Sequence, residues 1–148
     1  MKPVRELLLK YNVGVGWCDP FSGQSLFAGC RNDLAVSGIM ALDFLKGLEK
    51  EYFDGVLFDP PYSPRQMSEC YKSVGLKVNM QMTQGGWPKE KDEISRIVKL
   101  GGYCISFGWN SCGCGKKRGF EIEEILLVSH GGGHNDTICT VENKVRLG

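Results

Sequence analysis

Apolar residues at positions 4, 7, 8 and 11 recur at helical spacing behind Pro3, a residue tolerated in a first turn, and predict a short amphipathic helix over 3–11. Lys2, Arg5 and Lys10 fall on its polar side. Gly14–Phe21 reads as a strand stopped by Pro20, while Leu26–Leu34 is too short and too interrupted by glycine to assign. Ala41, Phe44, Leu45, Leu48 and Tyr52 predict a helix of about three turns ending near Phe53. Gly55–Phe58 is a continuous apolar run of the kind buried on both faces of a parallel sheet, and the prolines after it force the chain out of the sheet at Asp59. A helix over 63–74 and an irregular stretch over 75–87 come next; Pro88, Ile94, Ile97 and Val98, followed by Gly101-Gly102, then mark a third strong helix with both end signals. Tyr103–Trp109 is another buried-type strand, and Ile125–His130 and Thr137–Glu142 flank a glycine-rich hairpin loop at 131–136. Strand–helix alternation closed by an antiparallel pair predicts an α/β fold with a mostly parallel sheet and no internal repeat.

Composition narrows this picture. A length of 148 residues fits one domain, residues 1–148, and a 42% hydrophobic content supplies a core without help from disulfides or metal. No stretch approaches 18 consecutive apolar residues and the first dozen residues carry charges through their apolar pattern, so the expectation is a cytoplasmic protein with no membrane partner. Eighteen Lys and Arg against 17 Asp and Glu leave a formal charge of +1, so any attraction to nucleic acid must come from a local patch. The seven cysteines are odd in number and unpaired in spacing, which suits reduced, buried thiols. Cys112, Cys114, Cys139, His130 and His134 lack the closely spaced ligand couples of a zinc site, and no metal is expected.

The sharpest chemical feature is Asp59-Pro60-Pro61-Tyr62, directly after a predicted strand. Ligands of open α/β sheets bind outside the carboxyl ends of strands, so these residues stand where a site is expected; a plain proline turn is the competing explanation. Together with DPFSGQS (19–25), NDL (32–34), ALDFLK (41–46), FDGVLFDPPYSPRQ (53–66), SFGWNS (106–111) and HNDTI (134–138), the motif resembles the amino-group DNA methyltransferases of the DPPY type, in particular the small phage- and prophage-like adenine methylases. The resemblance covers nearly the whole chain. It implies a single-domain class I, Rossmann-like methyltransferase sheet of seven strands ending in an antiparallel hairpin, S-adenosylmethionine as methyl donor, and the 6-amino group of adenine in DNA as acceptor.

The chemistry suits these residue types. An exocyclic amino nitrogen is a poor nucleophile because its lone pair is delocalised into the ring. An Asp59 carboxylate and a Pro60 carbonyl that accept its two hydrogens would draw it towards tetrahedral geometry, and Pro60 and Pro61 would hold the backbone in place. Tyr62 offers a face for an extruded base, with Phe107 and Trp109 as candidates for the other face or as core. The resemblance assigns Asp19, Pro20, Phe21, Ser22 and Gly23 to the donor's methionine part. Asp33 is a candidate for the ribose hydroxyls, with an Asn-Asp turn as the competing explanation. Met40 and Ala41 fall at the donor's adenine, Met40 standing where related methylases often carry an acidic residue. Arg65, Gln66 and the Lys116-Lys117-Arg118 loop, placed on the catalytic edge, are candidates for nucleic-acid contact. Two other readings stay open: an RNA amino-group methyltransferase, and a non-catalytic nucleic-acid-binding module with a degenerate donor site. At this length a separate target-recognition domain is not expected, and a homodimer is possible.

Overall fold

The structure, a computed structural model, describes residues 2–61, 86–129 and 136–148. The predicted helix over 63–74, most of 75–87 and most of the 131–136 loop lie outside the described residues.

The amphipathic start of the chain forms α1, Lys2–Lys10, whose Leu7 and Leu8 are buried. Each such leucine contributes about 1.5–3 kcal/mol by leaving water. After it come β1, Trp17–Asp19, and β2, Cys30–Arg31, the latter only two residues long. The chain continues through α2, Leu34–Ser37, and α3, Ala41–Lys46, into β3, Phe53–Phe58. Helix α4, Pro88–Ile97, carries its proline in the first turn and Arg96 in the last, and passes without a loop into β4, Val98–Gly108. A single 3-10 turn, Lys116–Arg118, precedes β5, Phe120–Val128, and β6, Thr137–Lys144, returns antiparallel to it.

The strands form one sheet in the order β2-β1-β3-β4-β6-β5. Pairs β1–β2, β1–β3 and β3–β4 are parallel, and β6 alone runs against its neighbours β4 and β5. Among the described residues the sheet has six strands, where the resemblance implies seven. Residues 32–52 go to α2, α3 and their connections, and none of them pairs outside β2. Two cores result. Val56, Phe58 and Cys104 meet Leu45, Ile94 and Ile97 of α3 and α4 on one face, while Trp17, Leu57, Ile105 and Val141 meet Leu7 and Leu8 of α1 on the other.

Three predicted boundaries move, the first and the third for a tertiary reason. The helix from Ala41 stops at Lys46 and does not reach Phe53. The Glu51 and Tyr52 N–H groups instead donate to the Arg96 and Ile97 carbonyls at 2.8 and 2.9 Å, which delivers Phe53 into the sheet. The strand expected over Gly14–Phe21 is confined to Trp17–Asp19. Gly101-Gly102 end no helix and lie inside β4, because Val98 is already paired with Phe53. At Gly55 the absence of a side chain is required, since a Cβ there would lie 2.6 Å from the Trp17 ring.

Candidate active site

The chain leaves β1 towards β2 on one side, and β3 lies on the other side of β1. That reversal opens a crevice between the carboxyl ends of β1 and β3, the place where open α/β sheets bind ligands. A cavity of about 370 Å³ occupies it. Its walls are Pro20, Phe21, Gly23, Asn32, Asp33, Leu34 and Ala41 at one end, and Asp59, Pro60, Pro61, Gly108, Trp109 and Thr137 at the other. Residues expected to hold a donor and residues expected to act on an acceptor therefore share one space.

The first wall is built from the end of β1. Asp19 is buried, 4% exposed, and its carboxylate accepts the Phe21 N–H at 3.1 Å, which bends the chain out of the strand. Burial raises the Asp19 carboxyl to about 7; the Asp59 charge adds to this, while the Phe21 N–H and the Arg31 charge oppose it. Phe21 meets Phe58 and Trp87 edge-on at 5.8 and 5.2 Å, so the turn is fastened to the core. Ser22 is buried and its N–H donates to the Asn32 carbonyl at 3.0 Å. Gly23 lines the cavity at a φ of 53°, where an L side chain is strained.

Asn32, which sequence reasoning passed over as half of a turn, is the organiser of this wall. Its N–H donates to the Asp19 carbonyl at 2.9 Å, its Nδ2 donates to the Ile39 carbonyl at 2.9 Å, and its Oδ1 accepts the Ser37 hydroxyl at 2.7 Å. Asp33 lines the cavity, and its carboxylate caps α2 by accepting the Ala35 N–H at 3.1 Å. Ala41 lines the cavity as well. Met40 does not face it; it precedes α3 and packs on the core cluster of Leu45 and Phe58.

The second wall is the end of β3. Asp59 opens to solvent on its cavity side while protein crowds it from the other sides, and this desolvation raises its carboxyl to about 6. Pro60 is buried and Pro61 half-buried beside it. Tyr62, Arg65 and Gln66 lie outside the described residues, as do His130 and His134. Of the two aromatic candidates on β4, Phe107 packs into the core under α1 and Trp109 lines the cavity. Residues two apart on a strand share a face, so alternation alone would group them; what separates them is that β4 ends at Gly108, which leaves Trp109 beyond the strand.

The basic loop is not where it was expected. Phe120, just after it, pairs with Lys144, while Tyr103, midway along β4 but level with Gly55 early in β3, pairs with the adjacent Asn143. The Lys116–Arg118 turn thus sits by the amino ends of the parallel strands, about 17 Å along β4 from Gly108. Arg118 is committed to the fold, donating to Asp92 Oδ1 at 2.7 Å and to the Cys114 and Pro88 carbonyls at 3.1 and 3.2 Å. Lys117 lines a separate cavity of about 410 Å³ with Lys50 and Lys144.

Among the described residues, Cys104, Cys114 and Glu142 bring three metal-ligating atoms within 4.8 Å of one another. The Glu142 carboxylate there accepts the Cys114 and Gly115 N–H groups at 2.7 and 2.9 Å, so it folds the 109–119 connection onto the sheet. The active-site cavity has a different electrostatic character: its described lining includes Asp33 and Asp59, with Asp19 beneath, and no Lys, Arg or His.

No protein-family profile matches the chain, and no curated protein matches it in sequence. Solved structures match it in shape. TrmN from Thermus thermophilus superposes with a TM-score of 0.57 at 15% identity, over 95% of this chain and 48% of its own. The N-methyltransferase NodS from Bradyrhizobium japonicum WM9 gives 0.56 at 11% identity, over 98% of this chain and 96% of its own. The 1,6-didemethyltoxoflavin-N1-methyltransferase of Burkholderia thailandensis, solved with 1,6-didemethyltoxoflavin and S-adenosylhomocysteine bound, gives 0.59 at 11% identity, over 97% and 77%. This chain spans about half the length of TrmN. The fold is the single-domain, Rossmann-like α/β fold of class I methyltransferases, with a mostly parallel sheet and an antiparallel C-terminal pair.

Proposed function

We propose that this chain is an S-adenosylmethionine-dependent methyltransferase acting on the 6-amino group of adenine in DNA. One observation carries the reading: the Asp59-Pro60-Pro61 turn and the Pro20–Gly23 turn, with Asp33 and Ala41, line a single cavity at the switch point of a methyltransferase-type sheet. The lining fits such a donor, because its described residues include two carboxylates and no cation, which favours a positively charged group, and Phe21, Leu34 and Ala41 give apolar surface for its adenosyl part. Bound there, S-adenosylmethionine supplies a methyl group already activated by its sulfonium.

The chain's own residues then have three tasks. Gly23 lets backbone approach the donor, Asp33 offers its carboxylate to the ribose hydroxyls, and Asn32 ties the end of β1 to the connection between α2 and α3. Asp59 and the Pro60 carbonyl accept the hydrogens of the acceptor's amino group, which localises the nitrogen lone pair towards the methyl. Asp59 is also placed to take the proton that the nitrogen sheds once it carries the methyl group, a role suited to a carboxyl lifted to about 6.

The test is label transfer from tritiated-methyl donor to duplex DNA, single-stranded DNA and RNA, followed by identification of the modified base. The expected product is N6-methyladenine in DNA, and the expected Asp59→Ala variant folds with an unchanged melting temperature but transfers nothing. Retained turnover in that variant would sink the mechanism, and label in RNA alone would move the substrate.

A further inference from the structure

We propose that Trp109 is the stacking surface for the acceptor and that its two-ring indole makes the site select a two-ring base over a one-ring base. The inference rests on the methyltransferase reading above and adds the element of base selection. Its starting point is a contrast among three tryptophans. Trp17 and Trp87 are 1% and 7% exposed and belong to the cores, whereas Trp109 is 50% exposed and stands in the wall of the cavity. Among the described residues its ring makes no ring contact and its indole N–H no hydrogen bond. An indole left half in water by its own fold, inside a ligand cavity, has its flat face free for a partner.

Strand register fixes what that partner meets. Phe58 pairs with Ser106 and Gly108 with Ile138. The segments that leave β3 and β4, carrying Pro61 and Trp109, and Thr137 at the start of β6 therefore emerge from the same edge of the sheet. All three line the cavity. A planar acceptor whose amino group reaches Asp59 and Pro60 therefore has the Trp109 indole within stacking reach.

This arrangement divides the labour of recognition. Asp59 and the Pro60 carbonyl read only an amino group on a flat ring, and adenine and cytosine both carry one. With no cation in the described lining, charge does not separate them either. Ring area does: a purine covers an indole with two rings and a pyrimidine with one. Removing an aromatic partner weakens binding of a base by roughly 5- to 150-fold, so the share of that contact added by a second ring is large enough to bias the choice.

The experiment compares wild type, Trp109→Phe and Trp109→Leu on two single-stranded oligonucleotides, one of adenine and thymine and one of cytosine and thymine. Three quantities are read: methyl transfer, donor affinity by calorimetry, and tryptophan emission. Trp109→Leu should lower kcat/KM for the adenine strand roughly tenfold through KM while leaving the cytosine strand and the donor affinity within about threefold, so that discrimination collapses. Trp109→Phe should recover part of it. The adenine strand should quench emission in wild type and not in Trp109→Phe, where only the buried Trp17 and Trp87 remain. Unchanged discrimination in Trp109→Leu with donor affinity intact overturns the inference. Transfer to neither strand by wild type overturns the proposed function instead, and emission then decides the inference: quenching by the adenine strand upholds it, and its absence ends it.

Discussion

In the proposed role Asp59 must be ionised to take the amino proton, and desolvation by the protein around it raises its carboxyl to about 6. Single-turnover methyl transfer should therefore be level near pH 8 and fall about tenfold per pH unit below 6; a profile flat down to pH 5 would remove Asp59 from that role. Asp19 is linked to pH through stability. Its folded carboxyl titrates near 7 and an unfolded one near about 3.9, so between those values the folded chain holds a proton that the unfolded chain has released. The stabilisation is complete below about pH 4 and is lost as pH rises through about 7. Asp19→Asn keeps an acceptor for the Phe21 N–H and removes the titration. It should be more stable than wild type at pH 8, by on the order of a few kcal/mol, and equal to it at pH 4, as read by urea melts.

The elements show where local pattern governs the fold and where packing overrides it. Gly55 is the clearest case of packing. Gly55→Ala drives a methyl into the Trp17 ring, with three ring atoms 2.6–2.7 Å away, and should cost about 1–3 kcal/mol. Trp17→Leu should return part of that loss in the double variant, so a four-member stability cycle should give a clear coupling energy. Helices α1 and α4 and the core of β3 were legible because periodicity, a first-turn proline and a buried apolar run each act locally. The end of α3 was not, since the Arg96 and Ile97 carbonyls that capture residues 51 and 52 lie more than forty positions away. The same division holds in the site. Asp59, Pro60, Pro61, Pro20, Phe21, Gly23, Asp33 and Ala41 were readable as motifs and do line the cavity. Asn32 was hidden because its role is a set of hydrogen bonds between turns, and Met40 and the Lys116–Arg118 turn were misplaced because motif position does not reveal which way the backbone carries a residue.

On the scale of the whole molecule, the two acidic turns and the basic cavity by Lys50 and Lys117 stand at opposite ends of the sheet, so among the described residues these two cavities differ in sign although the net charge is only +1. Among the described residues no helix is long and apolar enough to cross a membrane. The described lining of the cavity comes from four stretches of chain, 20–41, 59–61, 108–109 and 137, which meet only when β1, β3, β4 and β6 have found their places. That assembly has a kinetic consequence. Contacts of such long sequence separation form late, so a folding transition state lacks a finished cavity and has little to offer a donor. Saturating donor, at about a hundred times its dissociation constant, should therefore slow unfolding roughly a hundredfold, equivalent to about 2.7 kcal/mol, while leaving the refolding rate in stopped-flow experiments unchanged. The bound chain would then outlast the empty one against heat and protease by virtue of a slower exit from the native state, a clock set by ligand occupancy.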